Sequence, residues 1–452
     1  MKILIAPWGN PFAWQEVTYR FGDVEDNSKS SLKIIQQAIQ PDKTIIIGLD
    51  TLATEGKDYK KVRQSAQKKI EDSAKEFGIK NYDVLIAPGV GTFPNGKFSG
   101  SALDYYYYII SKLISKFLKF FQKDNLKNIG DKIEVHLDLT HGLNYTTVLT
   151  YRAVREILQI LAIFKSVDFK AYSTDPSLPR SKDKNERARP LFIHTIEDSL
   201  IKPSPFTEKI SQGRPLELIN SDSKKSLTPE EKKERENLFR NELKDVRNID
   251  NKELSAFIGA LYNGLPLCLF RFYPKKDKLE NIINQVLNVY ENYIEVKNLK
   301  DERKLKVTKK LKLTKIFKLY VFTYMISSLM QNLNLISSQK KVVEIKDIKK
   351  LKNNLFKFDE RFKNRINIDI RNIRRNLKDK KLEEWEIYNK INENDAKNLS
   401  LNDRNFLAHS GFEWNVIEIK KNGYELYIRY SEDEIYKIKS LCQSGLRYNK
   451  KI

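Results

Sequence analysis

The sequence predicts a Rossmann-like α/β domain at the N-terminus and an all-helical domain with one small β-hairpin at the C-terminus, with a linker domain between them. Three observations support this. In the first two hundred residues, short apolar runs alternate with amphipathic stretches, and from about residue 201 the chain becomes polar and then charged and helical. The length of 452 residues also exceeds one ordinary core. We expect domains at 1–200, 201–250 and 251–452.

The N-terminal elements follow from hydrophobic periodicity. Strand, helix and strand at this spacing are typical of βαβ units in a mostly parallel sheet with helices on both faces. The last two strands lack a long helix between them, which predicts an antiparallel edge. The predicted strands cover residues 3–6, 44–49, 84–87, 135–139, 169–172 and 191–194. The predicted helices cover residues 31–39, 59–77, 103–121 and 145–164.

The C-terminal elements are predicted by caps, charge and turn residues. Thr228, Pro229 and Glu231 form a capping-box pattern that starts a helix after the linker. The segment 300–318, which opens a basic insertion over 300–350, predicts a helix that either faces RNA or is simply a solvated face. Alternating segments on both sides of Asn422-Gly423 predict a hairpin.

Composition limits the classes of function. The net charge of +23 favours a polyanionic partner, although a lysine-rich solvated surface is an equally good explanation. The two cysteines, Cys268 and Cys442, and the four histidines indicate neither a disulfide framework nor a zinc site, so we expect no metal. The chain opens on a predicted strand and has no apolar run of bilayer length, so we expect a cytoplasmic protein.

The most informative segment covers residues 402–411. Asn402 or Asp403 can cap a short helix that Gly411 ends, and this helix carries Arg404, Asn405 and His409. Metal-free RNA cleavage needs a base for the 2′-hydroxyl proton and a cation for the phosphorane charge. Histidine suits the first role and arginine the second. Asn405 would orient the imidazole or contact the phosphate; alternatively, His409 merely forms a hydrogen bond on a surface helix.

The same Arg-x4-His spacing occurs once more, at Arg189 and His194. This second pair lies on a predicted edge strand that proline opens, without helix caps. We interpret it as a chance match.

Loops at the ends of two predicted strands carry candidate ligand-binding residues. Ligands of open α/β sheets lie beyond the carboxyl ends of the strands, and a glycine turn into a helix presents amides to phosphate. Trp8 could stack on a base. A third loop, 87–92, has the flexibility of a lid or a binding loop. The candidate ligand-binding residues are Trp8, Gly9, Asn10 and Pro11 in the first loop and Thr140, His141, Gly142 and Asn144 in the second.

In domain order, length and motifs the chain resembles the CARF–HEPN ribonucleases, accessory effectors of type III CRISPR defence. Arg404, Asn405 and His409 match the HEPN active-site pattern position by position, and the two N-terminal loops resemble those of CARF domains. The resemblance implies a homodimer, or a higher multiple of dimers, whose CARF pair binds a cyclic oligoadenylate, usually the tetra-adenylate. A linker, often winged-helix-like, would then activate paired HEPN domains that cut single-stranded RNA without metal.

Two alternatives remain open at this point. The chain could be a nucleotide-gated transcription regulator whose helical domain only dimerises. It could also be a constitutive HEPN ribonuclease toxin whose N-terminal domain is purely structural. Neither alternative requires an activator-dependent nuclease.

Overall fold

An eight-stranded sheet forms the centre of the N-terminal half. The computed structural model describes residues 1–121, 132–176, 190–204, 213–219, 228–299, 304–356, 359–378, 380–391, 400–444 and 446. The N-terminal strands are β1 (Lys2–Pro7), β2 (Val17–Phe21), β3 (Val24–Ser28), β4 (Lys43–Leu49), β5 (Tyr82–Ala87), β6 (Gly91–Phe93), β7 (Gly96–Ser99), β8 (Lys132–Asp138), β9 (Ser166–Thr174) and β10 (Leu191–Leu200). The helices are α1 (Ser31–Ile39), α2 (Tyr59–Glu76), α3 (Ala102–Phe120) and α4 (Asn144–Leu161).

The strand order in this sheet is β3-β2-β10-β9-β8-β1-β4-β5. Strands β5, β4, β1, β8 and β9 run parallel, and their isoleucine- and valine-rich runs are buried, as expected for strands covered on both faces. The predicted α/β fold is therefore confirmed.

The predicted antiparallel edge is half correct. Strands β9 and β10 are antiparallel, but β10 is not an edge strand because β2 pairs with its other side. The β2–β3 hairpin was missed because it is short and rich in exposed polar residues, as outermost strands often are.

The C-terminal half is mainly helical. Its helices are α5 (Pro229–Asn237), α6 (Asn251–Asn263), α7 (Pro266–Arg271), α8 (Lys276–Asn292), α9 (Lys315–Asn332), α10 (Ile345–Leu355), α11 (Glu360–Asn376), α12 (Tyr388–Ile391), α13 (Asp403–Ala408) and α14 (Ile435–Cys442). Its strands are β11 (Leu216–Leu218), β12 (Ile294–Leu299), β13 (Lys304–Lys309), β14 (Leu311–Leu313), β15 (Val343–Glu344), β16 (Glu386–Ile387), β17 (Ile417–Asn422) and β18 (Glu425–Tyr430). The predicted hairpin is β17–β18, and the helix predicted after Thr228 is α5.

The basic segment 300–318 is not the predicted helix. In its described part, β13 and β14 precede α9, and β13 lies between β12 and the N-terminal strand β7. Along β13 the exposed Lys304 and Lys306 alternate with the buried Leu305 and Val307. This period of two is typical of a strand, but the many lysines obscured it in the sequence. The basic insertion therefore joins the C-terminal half to the N-terminal half.

Two further expectations concern the linker and membranes. In the described part of 201–250, β11 pairs with β14 and α5 follows, while the winged-helix arrangement stays a prediction. Among the described helices, none combines the length and apolar character that crossing a bilayer requires.

Candidate active site and candidate ligand site

The short helix α13 carries the predicted catalytic residues Arg404 and Asn405, and the third one, His409, is its C-cap. Asn402 caps it, because its side-chain oxygen accepts the Asn405 backbone N–H at 2.9 Å. At the other end the Gly411 N–H donates to the Phe406 carbonyl at 2.8 Å, with Gly411 at a left-handed φ of 82°. The caps expected from the sequence are thus present.

Tyr430 on β18 fixes the end of α13. Its hydroxyl donates to the Gly411 carbonyl at 3.1 Å, and its ring packs against buried Phe406. A Cβ on Gly411 would lie 2.7 Å from this hydroxyl. A glycine is therefore needed here both for its φ and for the close approach.

The His409 imidazole lies against a carboxylate from another helix. Its Nδ1 is 3.0 Å from Oδ1 of Asp369 on α11, and 44% of the histidine side chain remains exposed. Burial raises the pKa of Asp369, and the contact with His409 partly offsets this rise. The pair therefore couples an inaccessible carboxylate to an accessible imidazole.

Sequence reasoning missed Asp369. It interrupts the buried isoleucine face of α11, between Ile366, Ile370 and Ile373. A carboxylate on an apolar helix face needs a partner, and this was the available signal.

Arg365, one turn before Asp369, holds the loop that follows α13. Its Nε donates to the Ser410 hydroxyl at 2.8 Å, and its Nη2 donates to the Asn263 carbonyl at 2.6 Å. Ser410 is fully buried and has a φ of 51°, which non-glycine residues rarely adopt. These contacts fix the backbone beside His409.

Arg404 and Asn405 expose their side chains on the first turns of α13. Within the described ranges, no hydrogen bond joins either side chain to the imidazole; Asp369 makes the contact expected of Asn405. Both side chains are therefore accessible from solvent. The chance match differs in its setting: His194 also contacts a carboxylate, Asp175, but it lies on the strand β10 and not on a capped helix, and Arg189 lies outside the described residues.

The two candidate ligand loops meet at the carboxyl end of the sheet, as predicted. The Gly9 N–H donates to the His141 carbonyl at 2.7 Å, and the Trp8 N–H to the Ile47 carbonyl at 2.8 Å. A Cβ on Gly9 would lie 3.1 Å from that His141 oxygen. The loops therefore form one surface.

Trp8 does not point into this surface. Only 1% of it is exposed, and it packs against Trp14 and Phe77 with centroid distances of 5.1 and 5.9 Å. Stacking of a base on Trp8 is incompatible with this placement. The sequence did not indicate that Trp14, which precedes β2, and Phe77, which follows α2, would bury this ring.

The His141 ring is used to hold the fold together. It stacks on Trp14 at 4.0 Å, and its Nε2 accepts the Ser31 N–H at 3.2 Å. Burial lowers the pKa of His141, which favours the neutral ring that this acceptor role requires. Contact with a ligand through Nε2 would therefore require breaking its hydrogen bond to Ser31, the first residue of α1.

The remaining residues of these loops differ in accessibility. Asn10 and Asn144 are exposed, and Pro11 is buried. Thr140 has a buried hydroxyl without a hydrogen-bond partner in the described part of the chain. A Cβ on Gly142 would meet Thr147 at 2.5 Å, so this turn needs a glycine.

A cavity of about 240 Å³ opens beside these loops. Besides Gly9 and Asn10, it has polar groups that the sequence did not indicate. These are Thr51, Thr54, Lys69 and Asn95. The cavity can therefore offer amides, hydroxyls and one cation to a ligand.

The predicted lid at 87–92 is tied down. The Gly89 N–H donates to Asp50 Oδ1 at 2.7 Å, and the Gly89 carbonyl accepts from Lys309 Nζ at 2.6 Å. Lys309 also pairs with Asp50 at 2.9 Å, with both side chains fully buried. The lid interpretation does not fit these contacts.

Comparisons with known proteins agree with the two-part organisation. The protein-family model described as "CRISPR system endoribonuclease Csx1, CARF domain" matches residues 3–176. A second family model, described as "CRISPR system endoribonuclease Csx1, HEPN domain", matches residues 359–432. A CRISPR system endoribonuclease Csx1 from Methanocaldococcus jannaschii is 36% identical, over 99% of this chain and 91% of the relative.

Among solved structures, Enterococcus italicus Csm6 bound to cyclic hexa-2′-fluoro-hexa-dAMP aligns over 98% of both chains, at 11% identity and a TM-score of 0.24. With the CARF match, the HEPN match around Asp369 and His409, and the full-length relative, the chain belongs to the CRISPR system endoribonuclease Csx1 family and is a CARF–HEPN endoribonuclease.

Proposed function

We propose that this endoribonuclease cuts single-stranded RNA without a metal ion and is activated by cyclic oligoadenylate, with cyclic tetra-adenylate as the expected ring. The observation that supports the chemistry is the His409–Asp369 pair beside the exposed Arg404 and Asn405. An imidazole and a guanidinium on one short helix supply the base and the cation that the reaction needs.

The reaction is a transesterification. His409 takes the proton of the 2′-hydroxyl, O2′ attacks phosphorus and the P–O5′ bond breaks. Arg404 stabilises the charge on the non-bridging oxygens, and Asn405 contacts the same phosphate. The leaving 5′-oxygen takes a proton from the protonated imidazole of a second subunit. The products are a 2′,3′-cyclic phosphate, which water can open to a 3′-phosphate, and a 5′-hydroxyl.

A homodimer would explain both the composite active site and the binding of a cyclic activator. Because α13 exposes its polar side chains, two copies can face each other across one phosphodiester. A cyclic ligand with internal symmetry suits the same two-fold axis. Homodimers, alone or in multiples, are therefore the proposed active form.

The activator would bind near the 240 Å³ cavity and the loops around Gly9, Asn10 and Asn144. It can activate only by binding the active arrangement more tightly than the resting one. A hundredfold shift requires a difference of about 2.7 kcal/mol in binding free energy. Since the family is one of endoribonucleases, a regulator whose helical domain merely dimerises is not proposed.

The test is cleavage of labelled single-stranded RNA in EDTA, with and without cyclic tetra-adenylate, by wild type and His409→Ala. We expect ligand-stimulated cleavage by wild type, only a small residual rate for His409→Ala, and no cleavage of the matching DNA, which lacks the 2′-hydroxyl. Cleavage by His409→Ala at the wild-type rate would refute the site. Equal cleavage without ligand would favour the constitutive toxin alternative.

A further inference from the structure

Asp369 is a buried carboxylate whose side chain lies against the His409 imidazole. Burial of a carboxylate is costly unless it is paired, and Asp369 shares its face of α11 with three buried isoleucines and, one turn before it, Arg365. Its Oδ1 contacts His409 Nδ1 at 3.0 Å, while its Oδ2 is buried without a hydrogen-bond partner in the described ranges. Within the described residues, the imidazole is thus the hydrogen-bond partner of this carboxylate side chain.

A neutral imidazole carries one N–H, and the partner of one ring nitrogen decides where the proton lies. A carboxylate can only accept, so its contact places the proton on Nδ1. The lone pair then lies on Nε2, the nitrogen left for the substrate.

We propose that Asp369 is a positioning residue that holds His409 in the Nδ1–H tautomer and aims Nε2 at the RNA. This assignment rests on the proposed function only for the identity of the substrate. Arg365 completes the arrangement from the same helix, because it fixes the Ser410 backbone next to the histidine. One face of α11 therefore sets both the position and the tautomer of the base.

The first test needs no assay of cleavage. The chain has only four histidines, so ¹⁵N spectra of imidazole-labelled protein can be assigned with His409→Gln. At a pH where the ring is neutral, the His409 signals should show a protonated Nδ1 and an unprotonated Nε2. Asp369→Asn should shift the ring toward the Nε2–H form, because an amide can donate to Nδ1.

The matched control is Glu413→Gln. Glu413 is also buried near His409, but its carboxylate accepts the Asn415 N–H at 3.0 Å. Its removal should leave the tautomer unchanged. An Nε2–H ring in the wild type, or an unchanged ring in Asp369→Asn, would overturn the assignment.

The second test is a double-mutant cycle on RNA cleavage. Asp369→Asn should reduce the rate by roughly 100-fold or more, since a general base contributes about 10²–10⁴-fold. In the His409→Ala background, Asp369→Asn should cause no further loss, because it acts through the imidazole. An equal loss in both backgrounds would indicate a structural role only and overturn the proposal. If wild type showed the expected tautomer but cut no RNA, the proposed function would fail and the positioning would stand.

Discussion

Lys309 and Asp50 form an ion pair of 2.9 Å in which neither side chain is exposed. Asp50 directly follows β4 and adjoins Thr51 of the candidate ligand cavity, whereas Lys309 ends β13 of the basic insertion. Tyr59 also donates to Asp50 at 3.1 Å, and Lys309 lies 5.8 Å from the Phe98 ring centroid. The pair therefore joins the edge of the ligand cavity to the C-terminal half.

Breaking this pair should be costly. Lys309→Met leaves the Asp50 carboxylate buried without its cation, and we expect a loss of about 3–5 kcal/mol in the free energy of unfolding. The neighbouring Lys310→Met removes only an exposed pair with Glu295, for which about 1 kcal/mol or less is expected. Chemical denaturation of both variants measures the difference; equal losses would contradict the buried pair.

Gly411→Ala should damage α13, the helix of the candidate active site. The new Cβ would lie 2.7 Å from the Tyr430 hydroxyl at a φ of 82°, and we expect about 1–3 kcal/mol of destabilisation with strongly reduced cleavage. Gly423→Ala is the control, because Gly423 has a φ of 60° but open space around its Cβ position. Thermal unfolding and cleavage rates should rank Gly411→Ala as the more harmful change, and the reverse order would refute the close contact.

Stability should fall between about pH 4 and pH 7 because of Asp104. Burial raises its pKa to about 7, against hydrogen bonds from Leu313 and Tyr290 that favour the charged form. The folded state therefore binds this proton more tightly than the unfolded state does. The contribution of the proton to the free energy of unfolding is complete below the pKa of the unfolded state and is lost as pH rises through the pKa of the folded state.

Asp104→Asn should consequently gain stability relative to wild type at pH 8 and flatten the pH dependence. Melting temperatures at pH 5 and pH 8 measure this effect. The exposed Asp277→Asn should show the wild-type slope, and a similar slope in Asp104→Asn would contradict the raised pKa.

The groove between α10 and α11 should contribute to RNA affinity. Besides two isoleucines, three cations and two asparagines line it, and none of its lining residues is a carboxylate. The polar lining residues are Lys349, Arg371, Arg374, Asn364 and Asn367. Burial and the nearby Arg374 and Lys352 lower the pKa of Lys349, as expected where cations lack an anion. This charge pattern fits a phosphate backbone.

In a His409→Ala background, Arg371→Ala/Arg374→Ala should weaken RNA binding. The slope of log affinity against log salt should decrease by about 0.7 for each phosphate that the variant no longer neutralises. Lys60→Ala/Lys68→Ala removes the same charge from exposed positions on α2 and serves as the control. Fluorescence anisotropy at several salt concentrations measures both, and equal slopes would argue against the groove.

Lys69 should contact the activator. It lines the ligand cavity, and its Nζ lies 5.6 Å from the Phe12 ring centroid. If it binds a phosphate, Lys69→Met should raise the half-activating concentration of cyclic tetra-adenylate by about 10- to 100-fold, since such bonds contribute about 1.5–3 kcal/mol. The exposed Lys68→Met should keep the wild-type concentration; identical behaviour of the two variants would remove Lys69 from the site.

What could be predicted from the sequence was local. Periodicity indicated six strands and four helices of the N-terminal half, and residues 402–411 contain both caps of α13. Asp369 could not be paired with His409, because that contact depends on how α11 packs against α13. Trp8 was misjudged for a similar reason, since its burial depends on how the chain folds back at Trp14 and on Phe77, which follows α2.

The pairing of β7 with β13 has a consequence for biosynthesis. Its residues Ser99 and Val307 are 208 positions apart, and Gly96 approaches Leu305 so closely that a Cβ would lie 2.3 Å from its carbonyl oxygen. A nascent chain must therefore extend beyond Lys309 before the N-terminal half can finish folding. A fragment ended at residue 200 would keep an open strand edge and an uncompensated Asp50 carboxylate, and would tend to aggregate. A prematurely terminated chain is therefore not expected to give a stable N-terminal half on its own.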